Sequence, residues 1–255
     1  NSISFYLTYN DKKLYEAYDR NSLFCSFGSG AFYHKRWKNY DLSGNSKYYK
    51  ALQGKVNKDF YHINLCDQNL VIPEKSGSVS LIYCSHTLEH LEPLAAERFM
   101  EECFRILEPD GVMRIALPLT KKDFEIVYHI FFQNNVKVKL KNSFIVDAAS
   151  HILTDIKDKI SIGELTKLLN KSNFDAAKFY KTVKNFDNIN MFNSDNPERH
   201  ISFWDYGNLI SLSKDLGFKM CVPLYQNSSF AMPFKNNVVF DTTEPHISFY
   251  ADMVK

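Results

Sequence analysis

The chain has 255 residues, of which 45% are hydrophobic and 24% charged, so it can bury a sizeable core and is not disordered throughout. Lys plus Arg exceeds Asp plus Glu by 31 − 29 = +2, so no strong field favours nucleic acid or an anionic membrane. Nine Gly and eight Pro exclude collagen-like or low-complexity chains, and the 21 Phe and 15 Tyr predict a ring-rich core or pocket.

Residues 11–18 carry a charged, Leu/Tyr-spaced pattern that predicts a short helix. Leu23 to Phe27 is a compact apolar run that stops at Gly28-Ser29-Gly30. Trp37 to Leu42 is a second short strand, with Asp41 near its end. A helical stretch follows at Tyr48 to Leu52, then a strand at Phe60 to Leu65. Val79 to Ser85 is apolar and β-branched, as a strand buried on both faces should be. Pro93 in a first turn starts a helix near Glu92 that runs to Leu107. Glu108-Pro109-Asp110-Gly111 predicts a turn, and Val112 to Leu117 a fifth strand ending at Pro118.

Strand and helix thus alternate over the first half. That pattern predicts an α/β fold with a parallel sheet covered on both faces, and ligands at the carboxyl ends of its strands. The middle, residues 120–197, is expected to be a mainly helical insertion within one domain spanning 1–255. Its alternating segment Val136 to Lys141 reads as an edge strand protected by lysine rather than a phosphate-binding stripe. A helix at Trp204 to Leu216 follows, with Gly217 as its C-cap. Phe218 to Pro223 and His246 to Val254 are strands flanking a long loop. The part of it from Tyr225 to Asp241, with Phe230, is expected to line an acceptor side together with Phe131, Phe132 and Tyr180 of the insertion.

No apolar run is long enough to span a bilayer, no signal peptide is expected, and the five cysteines are odd in number without CxxC spacing. They predict a reducing compartment, hence the cytoplasm.

Three segments carry chemistry. Phe27-Gly28-Ser29-Gly30 ends a strand with glycines that let a backbone approach a ligand, and Asp41 ends the next strand, where an acid can accept from ribose hydroxyls. The spacing is not that of a dinucleotide fingerprint: only GxG is present, and Asp41 follows Gly28 too closely. The second segment is Ser85-His86-Thr87-Leu88-Glu89-His90, directly after the fourth strand. It contains a literal HxxEH, the zinc signature of inverted zincins, in which both histidines share a helical face. Here His86 follows a strand and the helix starts only near Glu92, so the two histidines should not share a face and no metal is expected there. The third segment, Glu102 to Gly111, reads alone as fold punctuation.

Together the segments resemble class I S-adenosylmethionine-dependent methyltransferases, in particular a small-molecule and glycan-type branch with a very short first helix. Gly28, Gly30, Trp37, Asn39 and Asp41 match in order, as do Asn64-Leu65 and Leu70 to Pro73. The motif SHxLEH is met by Ser85, His86, Leu88, Glu89 and His90. ExxRxLxPxG is met by Glu102, Arg105, Leu107, Pro109 and Gly111, and His200, Trp204 and Gly217-Phe218 look similar to the family's last segment. The likeness covers about residues 21–119 and 198–255. Asp110, Leu119 and Asn64 depart from it, each standing where relatives often carry Gly, Asp and Asp.

The resemblance implies a Rossmann-like doubly wound sheet, mostly parallel with an antiparallel last strand, and helices on both faces. It implies S-adenosylmethionine as methyl donor and S-adenosylhomocysteine as product. The cofactor would lie along Phe27, Gly28, Ser29, Gly30, Asp41, Leu42, Asn64, Leu65, Ser85 and His86. His86 is the candidate base, and His90 and His200 are candidate acceptor-binding residues. The acceptor is expected to be a small molecule or sugar, with neither nucleic acid nor membrane as partner. A zinc hydrolase using His86, Glu89 and His90, or a non-catalytic binding module on the same fold, is the alternative.

Overall fold

The computed structural model describes residues 12–30, 32–42, 60–119, 167, 171, 200–236, 238–245 and 248–255. The helix expected at Tyr48 to Leu52 lies outside the described residues. So does the expected insertion, apart from Lys167 and Lys171, which are helical.

Seven strands form one sheet: β1 (Leu23–Phe27), β2 (Lys38–Asp41), β3 (Phe60–His62), β4 (Val79–Ser85), β5 (Leu107–Pro118), β6 (Met220–Leu224) and β7 (Ser248–Val254). Their order is β3-β2-β1-β4-β5-β7-β6. Neighbours are parallel from β3 through to β5, while β7 runs antiparallel to both β5 and β6. The chain order reverses beside β1, which pairs with β2 on one side and β4 on the other. Such a reversal opens a crevice at the carboxyl edge of a parallel sheet.

β1 and β4 coincide with the expected runs, because each is mainly apolar and buried except at one end. The expected turn at Glu108 to Gly111 is instead absorbed into β5. Val79 pairs with Leu107 and Leu81 with Val112, so the extra β5 residues bulge out of register, with Asp110 at φ +64°. The strand before β4 is shorter than expected, and the region from Ile63 to Leu65 is turn and loop at the sheet edge.

Two layers flank the sheet. On one face, Cys25, Phe27, Ile82, Cys84, Met113 and Ile115 pack against α1 (Pro93–Ile106) and α2 (Tyr206–Leu216). Ala95, Ala96, Phe99, Met100, Cys103 and Ile106 form the buried stripe of α1, at helical spacing. The motif residues Glu102 and Arg105 sit on this helix as a clamp. Arg105 donates twice to Glu102, at 2.6 and 2.7 Å, and to the carbonyls of Ile72 and Glu74 at 2.8 and 2.9 Å. The motif therefore fastens the loop before β4 to the helix after it.

α2 begins at Tyr206 because Asp205 caps it, its side chain accepting from the Asn208 N–H at 2.8 Å. It ends at Gly217, φ +95°, with the Gly217 and Phe218 N–H groups turned back onto Lys214 and Ser213 carbonyls. A β-carbon at Gly217 would lie 3.3 Å from Phe104 Cζ. Gly217→Ala is expected to cost about 1–2 kcal/mol, the penalty for an L-residue held left-handed. A lower urea midpoint with unchanged slope checks it.

On the other face, Phe24, Leu81, Tyr83 and Val112 pack against Tyr15, Trp37, Phe234 and Phe240. Phe234 lies on a 3-10 turn, Met232–Lys235. Thus much of the loop expected on an acceptor side covers a sheet face instead, since Phe234 and Phe240 are core residues. Arg114, fully buried on β5, ties that loop down. It donates to Asp241 at 2.6 Å, Asp252 at 3.1 Å, and the carbonyls of Ser228 and Tyr225 at 2.8 and 3.0 Å.

Candidate active site

The parallel register brings Phe27, Asp41, His62 and Ser85 to one edge of the sheet. At the end of β1, Gly28 and Gly30 both have positive φ, +61° and +53°. Gly28 is sterically required: a β-carbon there would lie 2.1 Å from Thr87 Oγ1. The backbone after β1 therefore presses on the backbone after β4. At Gly30 nothing lies within 4 Å of the same position, so the loop opens outward.

Asp41 is buried, and its carboxylate accepts from the Gly30 N–H at 2.5 Å and the Leu42 N–H at 2.6 Å. It holds the glycine loop from the tip of the neighbouring strand. Ser29 is also buried; its hydroxyl donates to the Ser26 carbonyl at 3.1 Å. Phe27 turns its ring into the core, stacked on Tyr40 at 5.0 Å, so only its backbone faces the edge. Leu65 is core, whereas Asn64 is exposed and accepts from the Cys66 N–H at 3.0 Å. Trp37 and Asn39 prove to be scaffold. The Trp37 indole donates to Tyr15 at 2.6 Å, and the Asn39 amide to the Trp37 carbonyl at 2.9 Å.

After β4 the chain leaves the sheet abruptly. His86 has φ +50°, and its N–H still bonds the Ala116 carbonyl at 2.8 Å. Leu88–His90 is a separate 3-10 turn before α1. His86 and His90 thus share no helix, and the inverted-zincin geometry is not formed. His86 is bracketed instead: Nε2 lies 2.7 Å from Ser248 Oγ and Nδ1 3.2 Å from Glu89 Oε1.

Glu89 is 2% exposed, and neither of its buried carboxylate oxygens has hydrogen-bond geometry to a partner. Burial pushes its pKa up, but His86 and the charges of His90 and His200 outweigh it and hold the carboxyl at about 2. His200, far along the chain, reaches the same place. Its ring meets His90 edge to face at 4.9 Å, and donor atoms of Glu89, His90 and His200 all lie within 4.8 Å of one another. Backbone pairing holds them there: the N–H groups of Ile201 and Ser202 both donate to the Glu89 carbonyl, at 2.7 and 3.0 Å.

Sequence reasoning did not find Thr87 or Ser248. Thr87 lies inside the SHxLEH segment, but its close approach to Gly28 has no signal in the sequence. Ser248 has no local signal.

Residues 27–115 match the family described as Methyltransferase domain, a span running from the glycine loop to the middle of β5. Over that span the chain is similar to methyltransferase domains. No curated protein matches it. Among solved structures, a methyltransferase from Haloferax volcanii in complex with a methyltransferase activator is 11% identical, TM-score 0.45, over 96% of this chain and 88% of that one. An S-adenosylmethionine-dependent methyltransferase from Thermotoga maritima is 11% identical, TM-score 0.45, over 97% and 88%. Another from Mesorhizobium loti is 10% identical, TM-score 0.42, over 98% and 100%.

The methyl donor of this family is S-adenosylmethionine. The sheet edge fits such a group. The Gly30 loop is open, and the buried Ser85 Oγ at the end of β4 lacks a hydrogen-bond partner. Among the described residues no helix is long and apolar enough to cross a membrane.

Proposed function

We propose that the chain is an S-adenosylmethionine-dependent methyltransferase acting on a small polar acceptor, a sugar or metabolite bearing a hydroxyl, with His86 as the base. The observation that carries this reading is the bracketing of His86 at the mouth of β4 between Ser248 and buried Glu89. An acidic partner beside Nδ1 stabilises the imidazolium formed when Nε2 takes a proton from the acceptor, in exchange for its bond to Ser248. The bound donor supplies an electrophilic methyl, so the remaining task of the protein is alignment. His90 and His200 extend the polar wall beyond His86. A net charge of +2 offers little of the phosphate-driven affinity that nucleic-acid substrates require.

For the donor we assign the backbone of Phe27 to Gly30, with Asp41, Leu42, Asn64 and the Ser85–His86 backbone around it. Asp41→Ala is expected to weaken S-adenosylhomocysteine about 10- to 100-fold, from loss of a charge-assisted acceptor and release of the Gly30 loop. Calorimetric titration checks it; equal affinity in both proteins removes the ribose assignment. For the acceptor, a methylation screen over sugars, nucleotide sugars and small hydroxyl compounds should yield a product that His86→Ala no longer forms. Tight, steeply salt-dependent binding to oligonucleotides would overturn the small-acceptor reading.

A further inference from the structure

We propose that Glu89, His90 and His200 form a binding site for a divalent transition-metal cation, zinc matching the donor set best. This does not rest on the methyl-transfer reading. Two imidazoles and one carboxylate are the protein ligands of an open zinc site, with one position left for water or another oxygen. The three donor atoms lie within 4.8 Å of one another, and Glu89 Oε1 is 3.9 Å from His90 Nε2. Around a tetrahedral ion such donors sit about 3.3 Å apart, so closure takes shifts of roughly an ångström.

The second observation is independent of that proximity. Glu89 is 2% exposed, yet neither carboxylate oxygen meets hydrogen-bond geometry, and among the described residues its Oε1 has only the imidazoles of His86 and His90 at ion-pair distance, 3.2 and 3.9 Å. A buried carboxylate is costly unless a cation or donors compensate it, and imidazoles at ion-pair distance do so only when protonated. A metal ion compensates it while the rings stay neutral, as ligands must be.

The scaffold is built to hold this set. The 3-10 turn presents Glu89 and His90 consecutively, and the segment carrying His200 is pinned to it by two N–H bonds to the Glu89 carbonyl. The Ser202 hydroxyl adds a third bond, to the Leu88 carbonyl at 2.9 Å. His86, 3.2 Å from Glu89 Oε1, orients the carboxylate from outside the set. The ligands differ from those of the zincin signature: His200 takes the place that His86 holds in a helical HxxEH.

The test is calorimetric titration of zinc into the chelator-treated full chain, alongside His200→Ala and Glu89→Gln. Cobalt substitution gives a second readout through the visible bands of a tetrahedral nitrogen–oxygen site. The wild type should take up about one cation per chain, and each variant should lose roughly 100-fold or more in affinity, at least the upper end of what losing an outer hydrogen bond costs. Circular dichroism and thermal melting of the same samples report whether each variant is folded, and His90→Ala stands in for one that is not. Absence of saturable zinc binding by the wild type overturns the proposal. Wild-type affinity in folded variants overturns it too, because the ion then sits elsewhere. Either result leaves donor binding, and so the methyl-transfer reading, untouched.

Discussion

Arg114→Ala is expected to destabilise the fold by about 3–5 kcal/mol, because it leaves two buried carboxylates without their counter-charge. Arg114, Asp241 and Asp252 are each fully buried, and the guanidinium spans both acids at 2.6 and 3.1 Å. Burial already holds the Asp241 carboxyl above its ordinary range, with the arginine opposing that shift. For a chain of this size the loss should lower Tm by roughly 6–20 °C. The loop it fastens also carries Phe234 and Phe240, so the aromatic layer against Tyr83 and Trp37 should loosen with it. Adding Asp241→Asn and Asp252→Asn to Arg114→Met should recover part of the loss, since neutral amides need no counter-ion. If Arg114→Ala melts within a degree or two of wild type, the ion network is not what holds the loop.

Gly28→Ala should be the most damaging change at the proposed donor site. The φ of +61° carries a penalty of about 1–2 kcal/mol for an L-residue. The new methyl would also collide with Thr87, whose Oγ1, Cγ2 and Cβ would lie 2.1, 2.5 and 2.8 Å away. Overpacking of that kind costs a further 1–3 kcal/mol or so. The turn after β1 and the turn after β4 must then separate, and both flank the proposed donor site. S-adenosylhomocysteine affinity is expected to fall by at least about 30-fold, at temperatures where circular dichroism shows the variant folded. Thr87→Gly in the same chain removes the collision but not the strained φ, so it should restore only part of the affinity. Undiminished binding by Gly28→Ala would move the donor away from this loop.

How far these features could be read without coordinates depends on how local their causes are. β1 and β4 were legible to the residue because a buried parallel strand is a continuous apolar run bounded by polar or turn residues. Pro93 and Gly217 marked helix ends through backbone chemistry of their own. The Glu108 to Gly111 turn was misplaced because its residues suit a turn equally well inside a bulged strand, and the pairing with β4 made the choice.

The glycine loop, Asp41 and the SHxLEH segment were visible as short contiguous motifs, and parallel pairing carried them to one edge. That Asp41 grips the Gly30 N–H, or that Gly28 is demanded by Thr87, depends on distances between separate strands. Arg114 meets Asp241 and Asp252 across more than a hundred residues, and His200 meets Glu89 and His90 across a similar interval. No periodicity or spacing encodes such encounters. They arise because burying the apolar faces of the sheet fixes where distant polar side chains land, and a charge carried into the interior must then find its partner there.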